Sequence, residues 1–286
     1  MKPAPFAYDA PETLEEALAF LAAGGEDVKP LAGGQSLVPL LNFRLARPDR
    51  IVDLNGVSEL DYLRRHGDVL RIGALTRSGD LERSVDVAAG WPLLAEAARH
   101  VGHPQIRARG TVCGSVAHAD PAAELPVALA ALDARFHVRS ARGPRTLAAD
   151  EVFVSFLTTA LEPDELLVEI EVPAPPRRTG AAFVEHARTH GDFALGGAAA
   201  VLSLGEEGAC VDARLALLAA GATPVRAQES ESLLVGSAPV ADVLDAAADA
   251  VVRDLALTGR DVDWRRALLR ELARQALGTA ATRAAA

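Results

Sequence analysis

Two short segments hold residue types from which an anion site can be built. The first is Leu31-Ala32-Gly33-Gly34-Gln35-Ser36-Leu37. A diphosphate carries two negative charges and needs several donors at close range. Adjacent glycines let the backbone approach and turn its N–H groups inward. Ser36 adds a hydroxyl donor, and a helix after it would present its positive end. The spacing is not G-x-G-x-x-G, because the glycines are adjacent and no third one follows, and no Gly-Lys-Ser/Thr marks a P-loop. On these residues alone the segment is either a phosphate cradle or an ordinary strand-to-helix turn. The second segment runs Arg109-Gly110-Thr111-Val112-Cys113-Gly114-Ser115-Val116-Ala117-His118-Ala119-Asp120-Pro121. It reads as a loop of small residues against which an extended ligand can lie. Thr111 and Ser115 offer donors to phosphate, and Asp120 offers an acceptor to a ribose hydroxyl. The competing reading is a close-packed turn in which Asp120 caps a helix near 122–132.

The surrounding pattern supplies elements to hold these segments. Thr13 followed by Glu16 is a capping box, and Leu14, Leu18 and Leu21 keep helical spacing, so 13–23 is predicted helical. A strand at 28–31 leads into the first glycine turn, a helix is expected at 37–45, and a strand at 51–54. Segments 69–72, 135–138 and 167–172 alternate like half-buried strands, with helices at 92–99 and 124–132 between them. Strands with irregularly interspersed helices predict an α+β domain rather than a βαβ series. The run Pro173-Ala174-Pro175-Pro176-Arg177-Arg178 sustains neither helix nor central strand and predicts a domain boundary. Beyond it come strands at 198–204 and 211–219 and Ala-rich helices at 241–257 and 262–278, ending in a tail expected to fray.

Composition removes several function classes. Of 286 residues half are hydrophobic, enough for a large core. Acids outnumber bases 39 to 29, for a net charge of −10, which disfavours a phosphate-tracking nucleic-acid binder. Two cysteines rule out a disulfide framework and an iron–sulfur cluster held by this chain alone. The start lacks an apolar signal core, and the longest uncharged runs, such as 193–205, fall short of the ~20 residues of a membrane span, so a cytoplasmic location is expected. The histidines His100, His103, His118, His186 and His190 form no metal-binding helix pattern, and no metal site is expected.

Taken together and in this order, AGGQSL and GTVCGSVAHADPAAELP resemble the FAD-binding medium subunit of the molybdenum hydroxylases, a family that includes carbon monoxide dehydrogenase and xanthine dehydrogenase-like enzymes. The resemblance continues through Glu165–Pro173 and Phe183–Ala194. It implies an α+β fold with a two-lobed, PCMH-type FAD-binding domain at 1–176 (lobes about 1–56 and 57–176) and a smaller α+β domain at 177–286. It further implies that Ala32, Gly33, Gly34, Gln35 and Ser36 wrap the FAD diphosphate. Thr111, Val112, Cys113, Gly114 and Ser115 would form the second FAD loop, with Asp120 on the ribose or adenine side. Leu167 would pack near the ring system and Phe193 beside the isoalloxazine. No catalytic acid–base residue is expected in this chain.

There are departures. Cys113-Gly114-Ser115 stands where the family often has Gly-Gly-Asn, and Thr189 where many relatives have arginine. The resemblance implies a heterotrimer, assembled as a dimer of heterotrimers. A large subunit would carry the molybdenum cofactor and a small one two [2Fe–2S] clusters. Electrons would pass through FAD to a quinone, oxygen or NAD. Carbon monoxide, a purine, an aldehyde or an N-heterocycle all fit as substrates of such an enzyme. Two other readings stay open: a stand-alone FAD oxidase or dehydrogenase, and a non-enzymatic subunit with a decayed flavin site.

Overall fold

The computed structural model describes residues 2–253, 255, 257 and 261–286. The N-terminal helix Leu14–Gly24 starts where the capping box predicts. Thr13 Oγ1 accepts from the Glu16 N–H at 3.2 Å, while the Glu16 carboxylate accepts from the Glu12 N–H. The strands Ala7–Asp9, Arg50–Asp53 and Val28–Leu31 lie in that order in a parallel sheet. A second, five-stranded antiparallel sheet has the order Leu63–His66, Val69–Gly73, Leu166–Pro173, Arg135–Ser140 and Gly143–Leu147. Its alternation is physical: Leu70, Ile72, Phe136, Val138, Ile170 and Val172 are all buried, while their neighbours Arg71, Arg135 and Glu171 are not. The helices Pro92–His100 and Glu124–Ala131 close the core beneath it.

The chain then forms a four-stranded antiparallel sheet, Thr179–Ala187, Ala194–Leu204, Cys210–Leu218 and Val225–Arg226. Its central strand, ALGGAAAVLSL, is apolar on both faces for a reason. Ala199 and Val201 join the core of the first two sheets, while Ala198, Ala200 and Leu202 join a second core beneath the C-terminal helices. A strand clamped between two layers reads as a continuous apolar run. The uncharged stretch at 193–205 is therefore an internal strand.

Three expectations need correcting. The helix after the first glycine turn ends at Asn42, where Arg44 takes a left-handed φ of 58°. The helix predicted at 241–257 spans Ala241–Val251, and positions 254 and 256 lie outside the described residues. The Ala-rich tail does not fray. One helix runs Val262–Ala285, with Ala273, Ala276, Ala280 and Ala284 buried against the central and edge strands.

A charged seam joins the two parts. His100 Nδ1 lies 3.0 Å from Glu185 Oε1, and Glu96 accepts from the Phe183 N–H while pairing with Arg283 at 2.7 Å. Glu124, 8% exposed at the start of its helix, faces this cluster. Burial pushes its carboxyl up to about 7, and Glu185 and Asp120 add to the effect. A folded state that holds this proton more tightly than the unfolded chain loses stability as pH rises from the ordinary value of 4.5 to about 7. The loss is on the order of 3 kcal/mol. Glu124→Gln removes it, so urea unfolding should show the variant's advantage over the parent growing between about pH 5 and 7.5. A pH-independent difference would refute this assignment.

Candidate functional site

The strand Val28–Leu31 delivers the chain into Ala32–Ser36. Gly34 has φ +73°, a conformation that favours glycine, so this bend needs one there. The helix Leu37–Asn42 follows with Ser36 at its N-cap. The Ser36 side chain makes no capping bond and its hydroxyl stays available.

The second segment differs from its prediction as a loop. It is the helix Val112–His118, capped by Thr111, whose Oγ1 accepts from the Gly114 N–H at 3.2 Å. Val112, Cys113 and Val116 supply a buried face that pulls it into the core. Asp120 does not cap the next helix. Its carboxylate accepts from the Ala122 N–H at 2.8 Å in a local turn, and Ala123 is the N-cap of Glu124–Ala131.

The fold brings the two segments into contact. A Cβ built on Gly33 would lie 2.4 Å from the Arg109 carbonyl oxygen and 2.8 Å from Gly110 Cα. One built on Gly110 would meet Gln35 at 3.6 Å. Beside this junction opens a cleft of about 340 Å³, lined by Ala32, Gly33, Gly34, Gln35, Asp53 and Arg109 among others. Polar backbone, glutamine, arginine and two nearby N-caps make a donor-rich set, as a diphosphate requires.

The other predicted residues fall in two groups. Phe193 sits on the hairpin tip before Ala194–Leu204 and is 69% exposed. That tip packs against the second segment's approach, since a Cβ on Gly191 would lie 2.5 Å from the His103 ring. Leu167, Val112 and Cys113 instead send their side chains into the core, with Leu167 and Cys113 each 3% exposed. Cys113 Sγ faces the Ile72 carbonyl, and burial pushes its thiol well above the ordinary range. That leaves no reactive thiolate.

Sequence reading missed Asn55, Arg77 and Asp53. Asn55 Nδ2 donates to the Ala32 carbonyl at 2.9 Å. Arg77 donates to Asn55 Oδ1 and to the Arg109 carbonyl, both at 2.7 Å. Asp53 accepts from Tyr8 at 2.5 Å and from the Asn55 backbone and side chain. Burial alone would raise its carboxyl, but these hydrogen bonds outweigh it and hold it below the usual range. The fold also gathers His137, Glu169 and Glu171, whose ligand atoms lie within 4.8 Å of one another, although Arg71 pairs with both carboxylates.

Residues 4–175 match the family model described as the FAD binding domain in molybdopterin dehydrogenase. The chain belongs to the FAD-binding medium subunits of the molybdenum hydroxylase family. Residues 181–280 match the CO dehydrogenase flavoprotein C-terminal domain. The chain is 38% identical to the carbon monoxide dehydrogenase medium chain of Hydrogenophaga pseudoflava, over 100% of both chains. It is 48% identical to the 6-hydroxypseudooxynicotine dehydrogenase complex subunit alpha of Paenarthrobacter nicotinovorans, covering 89% of this chain and 86% of that one. A solved structure of carbon monoxide dehydrogenase from Hydrogenophaga pseudoflava superimposes with a TM-score of 0.96 at 38% identity over 99% of each chain. The α+β architecture, the FAD-binding domain and the place of this oxidoreductase subunit in a multi-subunit molybdenum enzyme agree with the resemblance seen in the sequence. No helix among the described residues is long and apolar enough to cross a membrane.

Proposed function

We propose that this medium subunit holds FAD across the two glycine bends and relays electrons within a heterotrimer. The contact between Gly33 and Arg109-Gly110 beside the donor-lined cleft carries the reading. Backbone N–H groups of Ala32–Ser36, with the Ser36 hydroxyl, would grip the diphosphate. Thr111, Gly114 and Ser115 would complete the cradle. Cys113 would contribute through its backbone N–H alone, and Val112 as a buried anchor of the helix. Val112 N–H already donates to the Thr76 carbonyl, which leaves Cys113 N–H as the helix's open donor among the described residues. Asp120 would lie towards the ribose or adenine. Leu167 would support the ring from within the core, while Phe193, exposed on its hairpin, would cover it.

FAD bound there supplies a carrier that links one-electron donors to a two-electron acceptor. The protein's task is orientation: two preformed bends fix the diphosphate, and the buried core behind them keeps both rigid. Residues 1–176 would form the FAD-binding domain, with lobes at about 1–56 and 57–176, and 177–286 the C-terminal domain. A small partner with two [2Fe–2S] clusters would deliver electrons from a large molybdenum-cofactor subunit, in a cytoplasmic dimer of heterotrimers. The 48% likeness to a 6-hydroxypseudooxynicotine dehydrogenase subunit favours an N-heterocyclic substrate for the whole enzyme.

Affinity purification of the tagged chain from its native host, with flavin and metal analysis, tests this. Co-purifying FAD, molybdenum and iron with two further chains is the expected result. A colourless chain that purifies alone would overturn it.

A further inference from the structure

We infer that Asn55 and Arg77 form a latch that sets the separation of the two FAD bends, making them positioning residues for the diphosphate. The inference rests on the FAD reading above and adds how the cradle keeps its width. Asn55 follows Arg50–Asp53 of the three-stranded sheet, and Arg77 follows Val69–Gly73 of the five-stranded sheet. The two sheets share no strand. Across that gap runs one chain of hydrogen bonds. The Ala32 carbonyl accepts from Asn55 Nδ2 at 2.9 Å, Asn55 Oδ1 accepts from Arg77 at 2.7 Å, and the other arm of Arg77 donates to the Arg109 carbonyl at 2.7 Å. The Arg77 backbone also bridges Thr111, the cap of the second bend.

Each link has a physical reason to be stiff. Asn55 is oriented from behind, because its side chain and backbone both donate to Asp53, whose other oxygen is held by Tyr8. Arginine is the side chain able to reach two acceptors with a planar fork, where lysine offers a single point of charge. Fixing the Ala32 carbonyl also fixes the Gly33 N–H on the opposite side of the same planar peptide. The Arg109 carbonyl that Arg77 holds is the atom against which Gly33 packs. The latch therefore sets both the width of the cradle and the direction of one of its donors.

Flavin-fluorescence titration of the full chain with FAD is the test. Arg77→Ala and Asn55→Ala should each weaken FAD binding by about tenfold or more. The double variant should bind no worse than the weaker single variant, because both break the same chain of bonds. The melting temperature of the FAD-free chain should move by only about 2 °C. Arg77→Lys should recover less than half of the lost binding free energy. Additive losses, full rescue by Arg77→Lys, or a large drop in FAD-free stability with unchanged FAD affinity would each overturn the latch. If the parent chain binds FAD and the variants match it, the latch alone fails. If the parent binds none, the FAD reading fails with it.

Discussion

Gly33→Val should leave the purified chain without flavin. A Cβ at this position would stand 2.4 Å from the Arg109 carbonyl oxygen and 2.8 Å from Gly110 Cα. Both are backbone atoms, so no side chain can swing aside. The bends must separate, and donors aimed at one diphosphate then aim past it. Losing several charge-assisted hydrogen bonds of about 1.5–3 kcal/mol each lowers affinity by two orders of magnitude or more. Absorbance near the flavin maximum after gel filtration reads the result. Normal flavin content in a folded variant would contradict the cradle. Gly34→Ala offers a milder comparison: φ +73° adds only about 1–2 kcal/mol of backbone strain, and the nearest atoms are side-chain ends of Val38 and Leu31 at 3.1 and 3.2 Å rather than backbone.

Gly180→Val should cost the C-terminal part of the chain on the order of 4 kcal/mol. A Cβ on Gly180 would lie 2.0 Å from the Ala280 carbonyl and 2.4 Å from the Ala284 nitrogen. The long terminal helix thus rests backbone to backbone on the strand Thr179–Ala187, and any side chain lifts it off. Gly278, in the same helix, gives a control of opposite sign. Nothing lies within 4 Å of a Cβ there, so Gly278→Ala should stabilise by about 0.5–1 kcal/mol through helix propensity alone. Thermal unfolding by circular dichroism distinguishes the two. A Gly180→Val chain that melts with the parent would show that the helix does not seat as described.

Much of this is legible in the amino-acid sequence, and the parts that are not have physical causes. Alternation exposes the three inner strands of the five-stranded sheet because one face is buried and the other wet, whereas the edge strands Leu63–His66 and Gly143–Leu147 are exposed along most of their length and carry no such pattern. The helix Val112–His118 was hidden because glycine, threonine and serine weaken its local propensity, and the core contacts of Val112 and Val116 outweigh them. The last two turns of the terminal helix, beyond the predicted 262–278, read as a fraying tail for the opposite reason. Alanine is the best helix former but hardly registers as apolar, although Ala273, Ala276, Ala280 and Ala284 fall on one face. At the site, the glycine bends announced themselves through composition. Asn55 and Arg77 did not, since 22 residues separate them and only the fold makes them partners.

The two cysteines have a practical consequence. Cys113 lies in the core under the first sheets and Cys210 in the core of the C-terminal sheet, and burial raises both thiols. Each half of the chain thus carries one silent internal reporter. An alkylating reagent reaches it only when that half opens, so labelling rates time the breathing of the two halves separately and without an added probe.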